Sequence, residues 1–374
     1  MPARINTGSI QASEQFPIGQ AYRAALGIAG RTADEVRILL ELLQRALADP
    51  IDIELHWHER TNHAPLLNGG EIIAPRTQAG SSTLTLFTSG TTGTPKRVCR
   101  SLEGEAEKRR GRGTPDDVWL LTYAPFRWAG ISVLLHALVN RCAVVIPDGN
   151  EPALLGCAML EGQVSHISLT PSLLRKLLTY GLEETLAKVP LRQITFGGEA
   201  ADQQILATTR RLWPQARITQ VYAMTELGDI LAVSDGSPGI PASQIENNPR
   251  FIITSAGELI VDGYATSDLW ERRDERYLYL GRKEEMINVG GALISPNEIE
   301  VKALAFEGVA WARAFAVPSP IIGSTVGLHY VGSAVPASLR SALRNQLPKV
   351  AWPSVIEKVD ELVMTDAMKT SRRG

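Results

Sequence analysis

From residue 84 to residue 231 the chain alternates between short apolar runs and longer helical patterns, and this constrains the fold more than any other feature. The runs Leu84–Phe87, Ala143–Pro147, His166–Leu169, Gln193–Phe196 and Ile218–Tyr222 have the length of strands. Apolar residues at helical spacing lie between them, around 130–140, 152–161, 171–187 and 201–212. Such alternation predicts an α/β fold with a mostly parallel sheet covered by helices and ligands at the carboxyl ends of the strands. Three polar segments fall at those ends: the run starting at Thr88, Gly197-Gly198-Glu199, and Tyr222-Ala223-Met224-Thr225-Glu226. Their placement predicts a shared site.

The first of these segments is Thr88-Ser89-Gly90-Thr91-Thr92-Gly93-Thr94-Pro95-Lys96. Glycine lets a chain fold back without a clash at Cβ, so such a loop presents many backbone N–H groups. The hydroxyls and the Lys96 ammonium add donors and positive charge, a combination suited to wrapping a polyphosphate. It is not a P-loop, because the Gly-Lys-Ser/Thr ending is missing. The alternative is an ordinary Ser/Gly-rich turn, which does not require the closing lysine.

Composition narrows the class. At 374 residues, with 44% hydrophobic and 21% charged residues, the chain is expected to be a soluble protein of two domains. A formal net charge of −2 argues against nucleic acid or a membrane surface as partner. The basic stretch Lys108–Arg112 follows Glu103, Glu105 and Glu107 and reads as a solvated helix end. Three irregularly spaced cysteines, no signal-peptide pattern and no apolar run near the ~20 residues of a membrane span predict a cytoplasmic location. His56, His58 and His63 invite a metal reading, but no Cys or carboxylate completes a ligand set, and a plain strand over Ile51–Glu59 is preferred.

Residues 31–48 read as an amphipathic helix. After Gly236 the pattern changes to a hairpin at Phe251–Thr254 and Glu258–Asp262, and a strand at Tyr277–Leu280. Beyond these come a helix at Pro296–Ala305, strands near Ala312–Val317 and Val326–Val331, a helix at 336–346 and a strand at 354–359. The expected domains are a large one over 1–281, with a shortened N-terminal part, and a small mobile α+β one over 282–374.

Taken in order, these segments resemble the adenylate-forming superfamily of acyl- and aryl-CoA synthetases, carrier-protein adenylation domains and luciferases. The resemblance covers residue 84 to the C-terminus. It implies that Thr88, Ser89, Gly90, Thr91, Thr92, Gly93, Thr94 and Lys96 hold the phosphates of ATP. Tyr222-Ala223-Met224-Thr225-Glu226 is similar to the family's Tyr-Gly-x-Thr-Glu, with Tyr222 on adenine, Thr225 at the α-phosphate and Glu226 holding Mg²⁺, a metal suited to hard oxygens. Gly197-Gly198-Glu199 resembles the segment lining the adenine pocket. Thr266-Ser267-Asp268-Leu269 resembles Thr-Gly-Asp-Leu, whose Asp accepts from both ribose hydroxyls, as an ionised carboxylate can. Gly281-Arg282-Lys283-Glu284-Glu285 resembles the hinge, with Arg282 near the ribose and Glu284 at the hinge position. Ile287–Gly291 and Pro296–Glu300 follow with the family's spacing. Leu362–Arg372 resembles Leu-Pro-x-Thr-x-x-Gly-Lys-x-x-Arg, which makes Lys369 the C-terminal catalytic lysine.

The departures are Ala223, Ser267 and Met368, each in place of glycine, a short N-terminal part, and Arg127 where many members have His. The resemblance implies that Arg127, Trp128, Gly130 and Gly197 border the acyl pocket. Arg127 would pair either with a second carboxylate of the acid or with a neighbouring Asp or Glu of the protein, and Trp128 would offer a face to an aromatic ring. So compact a chain also resembles the phenazine-carboxylate-activating adenylases of griseoluteic acid biosynthesis. The implied reaction is ATP-dependent formation of an acyl-adenylate with release of pyrophosphate, for CoA, a carrier protein or a reductase to receive the acyl group. Two rivals remain at this level: a kinase or NTPase acting on the γ-phosphate, and a non-catalytic nucleotide binder.

Overall fold

The computed structural model describes residues 3–7, 24–26, 33–49, 52–57, 70–73, 81–88, 96–364 and 369. The chain divides into two compact units. One comprises Met1–Leu169, Tyr180–Gly198 and Leu212–Ala232, and the other Thr170–Thr179, Glu199–Arg211 and Val233–Gly374.

The first unit contains a seven-stranded sheet in the order Ala3–Asn6, Ala143–Ile146, Val118–Leu120, His166–Leu169, Gln193–Gly197, Arg217–Met224 and Gly228–Val233. The five strands from Ala143–Ile146 to Arg217–Met224 pair in parallel, as the alternation predicts. Every residue of Ala143–Ile146 and Val118–Leu120 is buried, which is why these strands read as continuous apolar runs rather than alternating ones. Three residues were too short a run to mark Val118–Leu120 as a strand in the sequence.

One expectation is corrected. The strand around Leu84 does not open the parallel series. Thr83–Thr88 belongs to a second sheet, ordered Ala24–Leu26, Gly70–Ile73, Ile53–Trp57, Thr83–Thr88 and Lys96–Ser101. It pairs antiparallel with Lys96–Ser101, Thr88 opposite Lys96, because a short loop makes a hairpin and cannot supply the long crossover a parallel neighbour needs. The Gly-rich run therefore joins two antiparallel strands, whereas a P-loop leads from a strand into a helix. Its residues Ser89 to Pro95 lie outside the described residues. Helix Ala33–Ala48 buries Leu39, Leu40 and Leu43 in a core that also holds Leu84, Leu86, Ile131, Leu134 and Leu135.

The second unit contains two further sheets. One runs Ile240–Pro241, Arg276–Arg282, Tyr264–Arg273, Glu258–Val261 and Phe251–Ile253. The other is built on the hairpin Val309–Ser319/Gly323–Gly332, with Pro353–Lys358 parallel to its second strand. Helices Pro296–Leu304 and Pro336–Gln346 share its core through Ile299, Ala303, Leu339 and Leu343 beside Leu328 and Tyr330. By contact, Val233–Gly374 falls in this unit together with Thr170–Thr179 and Glu199–Arg211. The charged segment Lys283–Glu285 is a single turn linking the two sheets. The helix expected over 171–187 is two, Pro171–Thr179 and Glu183–Ala187, interrupted at Tyr180-Gly181.

Among the described residues no helix is long and apolar enough to cross a membrane, and no group of His, Cys, Asp and Glu is arranged to hold a metal ion. His56 lies on Ile53–Trp57; His58 and His63 lie outside the described residues.

A titratable cluster occupies the amino ends of the parallel strands in the first unit. Asp117 accepts from Arg192 at 2.9 Å, His166 accepts from or donates to the Ser165 hydroxyl at 2.8 Å, and the Trp119 ring lies 4.9 Å from His136 and 5.0 Å from His166. Burial, with the Arg109 and His166 charges, holds the His136 imidazole down to about 4 against the opposing pull of Asp117. The unfolded chain takes up this proton near pH 6.5, whereas the folded one resists until about 4. Stability is therefore complete above pH 6.5 and falls as the pH drops towards 4, by about 2–3 kcal/mol in total. His136→Phe should flatten this limb in urea unfolding at pH 7, 5.5 and 4.5. Unfolding free energies that fall in parallel for both proteins would remove His136 as the cause.

Candidate active site

In the first unit, the pairing of Gln193–Gly197 with Arg217–Met224 sets Gly197 beside Val221. The strand ends carrying Gly198 and Tyr222 therefore finish together at the carboxyl edge of the sheet. The Tyr123 hydroxyl donates to the Gly197 carbonyl at 3.3 Å. Beyond Met224 the chain turns through Thr225-Glu226-Leu227 into Gly228–Val233. Arg100 holds this turn. Its Nη1 donates to the carbonyls of Thr225 at 3.3 Å and Glu226 at 3.1 Å, and its Nη2 donates to that of Leu227 at 3.2 Å.

Arg100 is itself ion-paired with buried Glu105. Burial works against the Glu105 charge, but hydrogen bonds from Arg100, Lys108 and Arg109 outweigh it and pull the carboxyl down to about 2. Arg109 joins Glu105 at 2.8 Å and Asp229 at 2.8 Å. The basic stretch Lys108–Arg112 is thus not merely a solvated helix end: Arg109 is 5% exposed and bridges two carboxylates.

This packing also corrects the expectation for Trp128. Its indole is buried, with the Arg100 and Arg109 guanidiniums 4.7 and 5.3 Å from the ring centroid, and its Nε1 lies 3.4 Å from Asp229 Oδ1. It presents no open face to a substrate. Gly130 has a packing reason too, since a Cβ there would stand 2.1 Å from the Ala124 carbonyl oxygen. Arg127, partly buried, flanks the start of helix Trp128–Asn140. By contrast, neither the Thr225 hydroxyl nor the half-buried Glu226 carboxylate is engaged by another group among the described residues. That fits a phosphate contact and a Mg²⁺ ligand, since hard oxygens are what this metal takes.

In the second unit, register places Asp268 opposite Arg282. Asp268 is 5% exposed; the Tyr279 hydroxyl and Arg282 Nε both approach its Oδ1, each at 3.3 Å. Burial opposes the Arg282 charge, but Asp268, Tyr279, Glu285 and Glu284 hold its proton above the usual range. Tyr279 is braced edge-on by Trp270, 5.3 Å between centroids, and its carbonyl accepts from Asn297 at 2.8 Å. The Pro296–Glu300 motif is thus a tether: Ser295 caps the helix at Glu298 N, and Glu300 accepts from Ala314 N at 2.9 Å.

Lys369 stands in the field of the same groups. Burial draws its ammonium below the usual range, Glu199, Glu285 and Asp268 oppose this, and Arg282 reinforces it. Glu199 Oε2 accepts from Ser172 N at 3.1 Å. Glu284 is exposed in the turn Lys283–Glu285. The neighbouring Met368 lies outside the described residues.

The structure thus gathers Asp268, Arg282, Glu199 and Lys369 in one unit, and Gly197, Gly198, Tyr222, Thr225 and Glu226 at one sheet edge of the other. Lys96 is exposed at the base of its hairpin, opposite Thr88. Sequence reasoning missed Arg100, Glu105, Arg109, Asp229 and Tyr279. For the four charged residues the only signal was charge in short elements, and Arg100 meets its carbonyls across 125 to 127 residues of chain.

The model of the family described as AMP-binding enzyme matches residues 29–250. The chain is 28% identical over 359 residues to a medium/long-chain-fatty-acid–[acyl-carrier-protein] ligase of Mycobacterium tuberculosis, covering 77% of this chain and 64% of that protein. It is 26% identical over 327 residues to the 2-succinylbenzoate–CoA ligase of Staphylococcus aureus, covering 77% and 65%. The chain thus spans less than two thirds of the length of these curated relatives. In fold it is similar to the anthranilate CoA ligase AuaEII in complex with anthranoyl-AMP, with TM-score 0.65 at 16% identity over 80% of this chain and 67% of that one.

Ser267, which precedes Asp268, has φ +61°. The left-handed region crowds Cβ against the carbonyl, a strain glycine lacks. Ser267→Gly should therefore stabilise the protein by about 0.5–1 kcal/mol in urea unfolding, once glycine's greater freedom in the unfolded chain is subtracted. A loss of stability would mean that the serine side chain contributes more than the strain costs.

Proposed function

The chain belongs to the AMP-binding enzyme family, and on that footing we propose that it activates a carboxylic acid with ATP, forming an acyl-adenylate and releasing pyrophosphate. One observation carries the reading: Lys369, near the C-terminus, shares its electrostatic surroundings with Glu199, Asp268, Arg282 and Glu285, which come from separate segments. A lysine in a polar tail has no structural need of such company.

The chemistry asks for little acid–base work. A carboxylic acid with a pKa near ~4.3 is already ionised at pH 7. The difficulty is charge, since an anion must attack an anionic α-phosphate while pyrophosphate leaves. Positioning and fixed positive charge are therefore the main contributions of the protein. Partly desolvated, the Lys369 ammonium gains more from an anion beside it than it would in water. Asp268 and Tyr279 offer hydrogen-bonding groups for the ribose, and Thr225 a hydroxyl for the α-phosphate. Mg²⁺, when bound, would be held by Glu226 and would offset phosphate charge. The segment from Thr88 to Lys96 is assigned to the β- and γ-phosphates, with Tyr222, Gly198 and Glu199 at the adenine.

The acid is proposed to be aromatic. The names of two similar proteins, for 2-succinylbenzoate and anthranilate, support this. The motif resemblance suggests a phenazine carboxylate as the first acid to test, with Arg127 the residue assigned to a second carboxylate. Trp128 has no part in this version, being covered by two guanidiniums. The acceptor of the acyl group is a thiol of CoA or of a carrier protein, or a downstream reductase. The cysteines are free, with Cys99 and Cys157 exposed, which supports a reducing, cytoplasmic setting.

Acid-dependent ATP–pyrophosphate exchange, screened over aromatic mono- and dicarboxylic acids with Mg²⁺, tests the proposal. Lys369→Ala should lower exchange by about 100-fold or more, while the melting temperature stays near that of the wild type. ADP and orthophosphate as products would overturn the reading in favour of a phosphotransferase or NTPase. Tight ATP binding with no exchange for any acid would make the chain a non-catalytic nucleotide binder.

A further inference from the structure

We infer that Arg100 is a positioning residue for the Thr225-Glu226 turn, acting through the backbone and not on the substrate. The inference rests on the reading of Glu226 as the Mg²⁺-holding carboxylate and deepens it. Three successive carbonyls, of Thr225, Glu226 and Leu227, accept from one guanidinium at 3.1 to 3.3 Å. A turn whose carbonyls are held at three consecutive points has little freedom to rotate, so the directions in which Thr225 and Glu226 leave the backbone are set as well. Their own polar atoms remain unengaged among the described residues. The backbone is held by the protein, and the side chains are left for a ligand.

The guanidinium is itself fixed from two directions. Glu105 receives both its Nη2 and, at 3.2 Å, its Nε, and Trp128 lies against it at 4.7 Å. Arg109 continues the network from Glu105 to Asp229, just past the turn. Gly228 makes the approach possible. It has φ +75°, and a Cβ at that position would lie 2.4 Å from Arg100 Nη2. Lysine cannot replace Arg100 here, because a single ammonium lacks the rigid planar fork that meets several acceptors at once.

The test uses the full chain and needs no knowledge of the acid. ATP binding is measured by calorimetry with and without Mg²⁺, and the readout is the factor by which Mg²⁺ strengthens it. Wild type should show such a factor, and Glu226→Ala should abolish it. Arg100→Lys, which keeps the charge, should reduce it by about 10- to 100-fold or down to none, the effect typical of groups that orient a metal ligand. Binding of ATP without Mg²⁺ should stay near the wild-type value, a split that general loss of structure would not give. Gly228→Ala, which displaces the guanidinium while leaving both Arg100 and Glu226 in the chain, should act in the same direction and carries the test if Arg100→Lys fails to fold. Exposed Arg97, paired with Glu54, serves as control: Arg97→Ala should leave the factor unchanged. If Glu226→Ala abolishes the factor while Arg100→Lys and Gly228→Ala keep it, the inference about Arg100 is overturned and the site reading stands. If wild type shows no Mg²⁺ dependence, or Glu226→Ala retains it, the site reading fails and the inference with it.

Discussion

The buried carboxylate of Glu105 is the constraint on which the candidate site of the first unit depends. Burying a charge is costly unless it is paired and hydrogen-bonded. Three cationic side chains supply that pairing here, and two of them have reasons to be there beyond Glu105. Arg100 reaches the carbonyls of the turn just past Arg217–Met224, and Arg109 reaches Asp229 on the next strand. Removing the carboxylate would leave guanidiniums without their main counter-charge among buried aromatic and aliphatic groups. The stability of this corner and the geometry of the Thr225-Glu226 turn therefore rest on the same set of contacts.

The second unit solves a different electrostatic problem. Asp268 is buried beside a tyrosine hydroxyl and a guanidinium, which hold its carboxyl group in place. Lys369 is drawn towards its neutral form by burial, and three carboxylates resist that pull. An ammonium in such a balance is sensitive to one more anion nearby, which would suit the phosphate contact proposed for Lys369. The strand carrying Tyr279 and Arg282 is tied by Asn297 to the helix of the neighbouring sheet. The motif that reads in sequence as a spacing signature is, in structure, the joint holding these two sheets together.

Much of the fold was legible because backbone periodicity and local chemistry report it. His166–Leu169 and helices 152–161 and 336–346 fall where their patterns put them. The strand at Leu84 was legible as a strand but not as a member of its sheet, since period-two patterning says nothing about which neighbour a strand takes. The position of Asp268 next to a left-handed Ser267 could be anticipated, because the resembling motif carries glycine there.

What the sequence alone determined is the α/β class, most of the longer elements and the polar motifs at strand ends, all consequences of local periodicity and residue chemistry. The tertiary structure decided which charges are buried and whom they meet. Trp128 reads as an aromatic surface until two arginines cover it, Arg109 reads as solvated until Asp229 receives it, and nothing in the run Lys96–Ser101 announces that Arg100 holds a turn more than a hundred residues away. Those pairings depend on long-range packing that brings low dielectric and opposite charge together, and no local pattern encodes that.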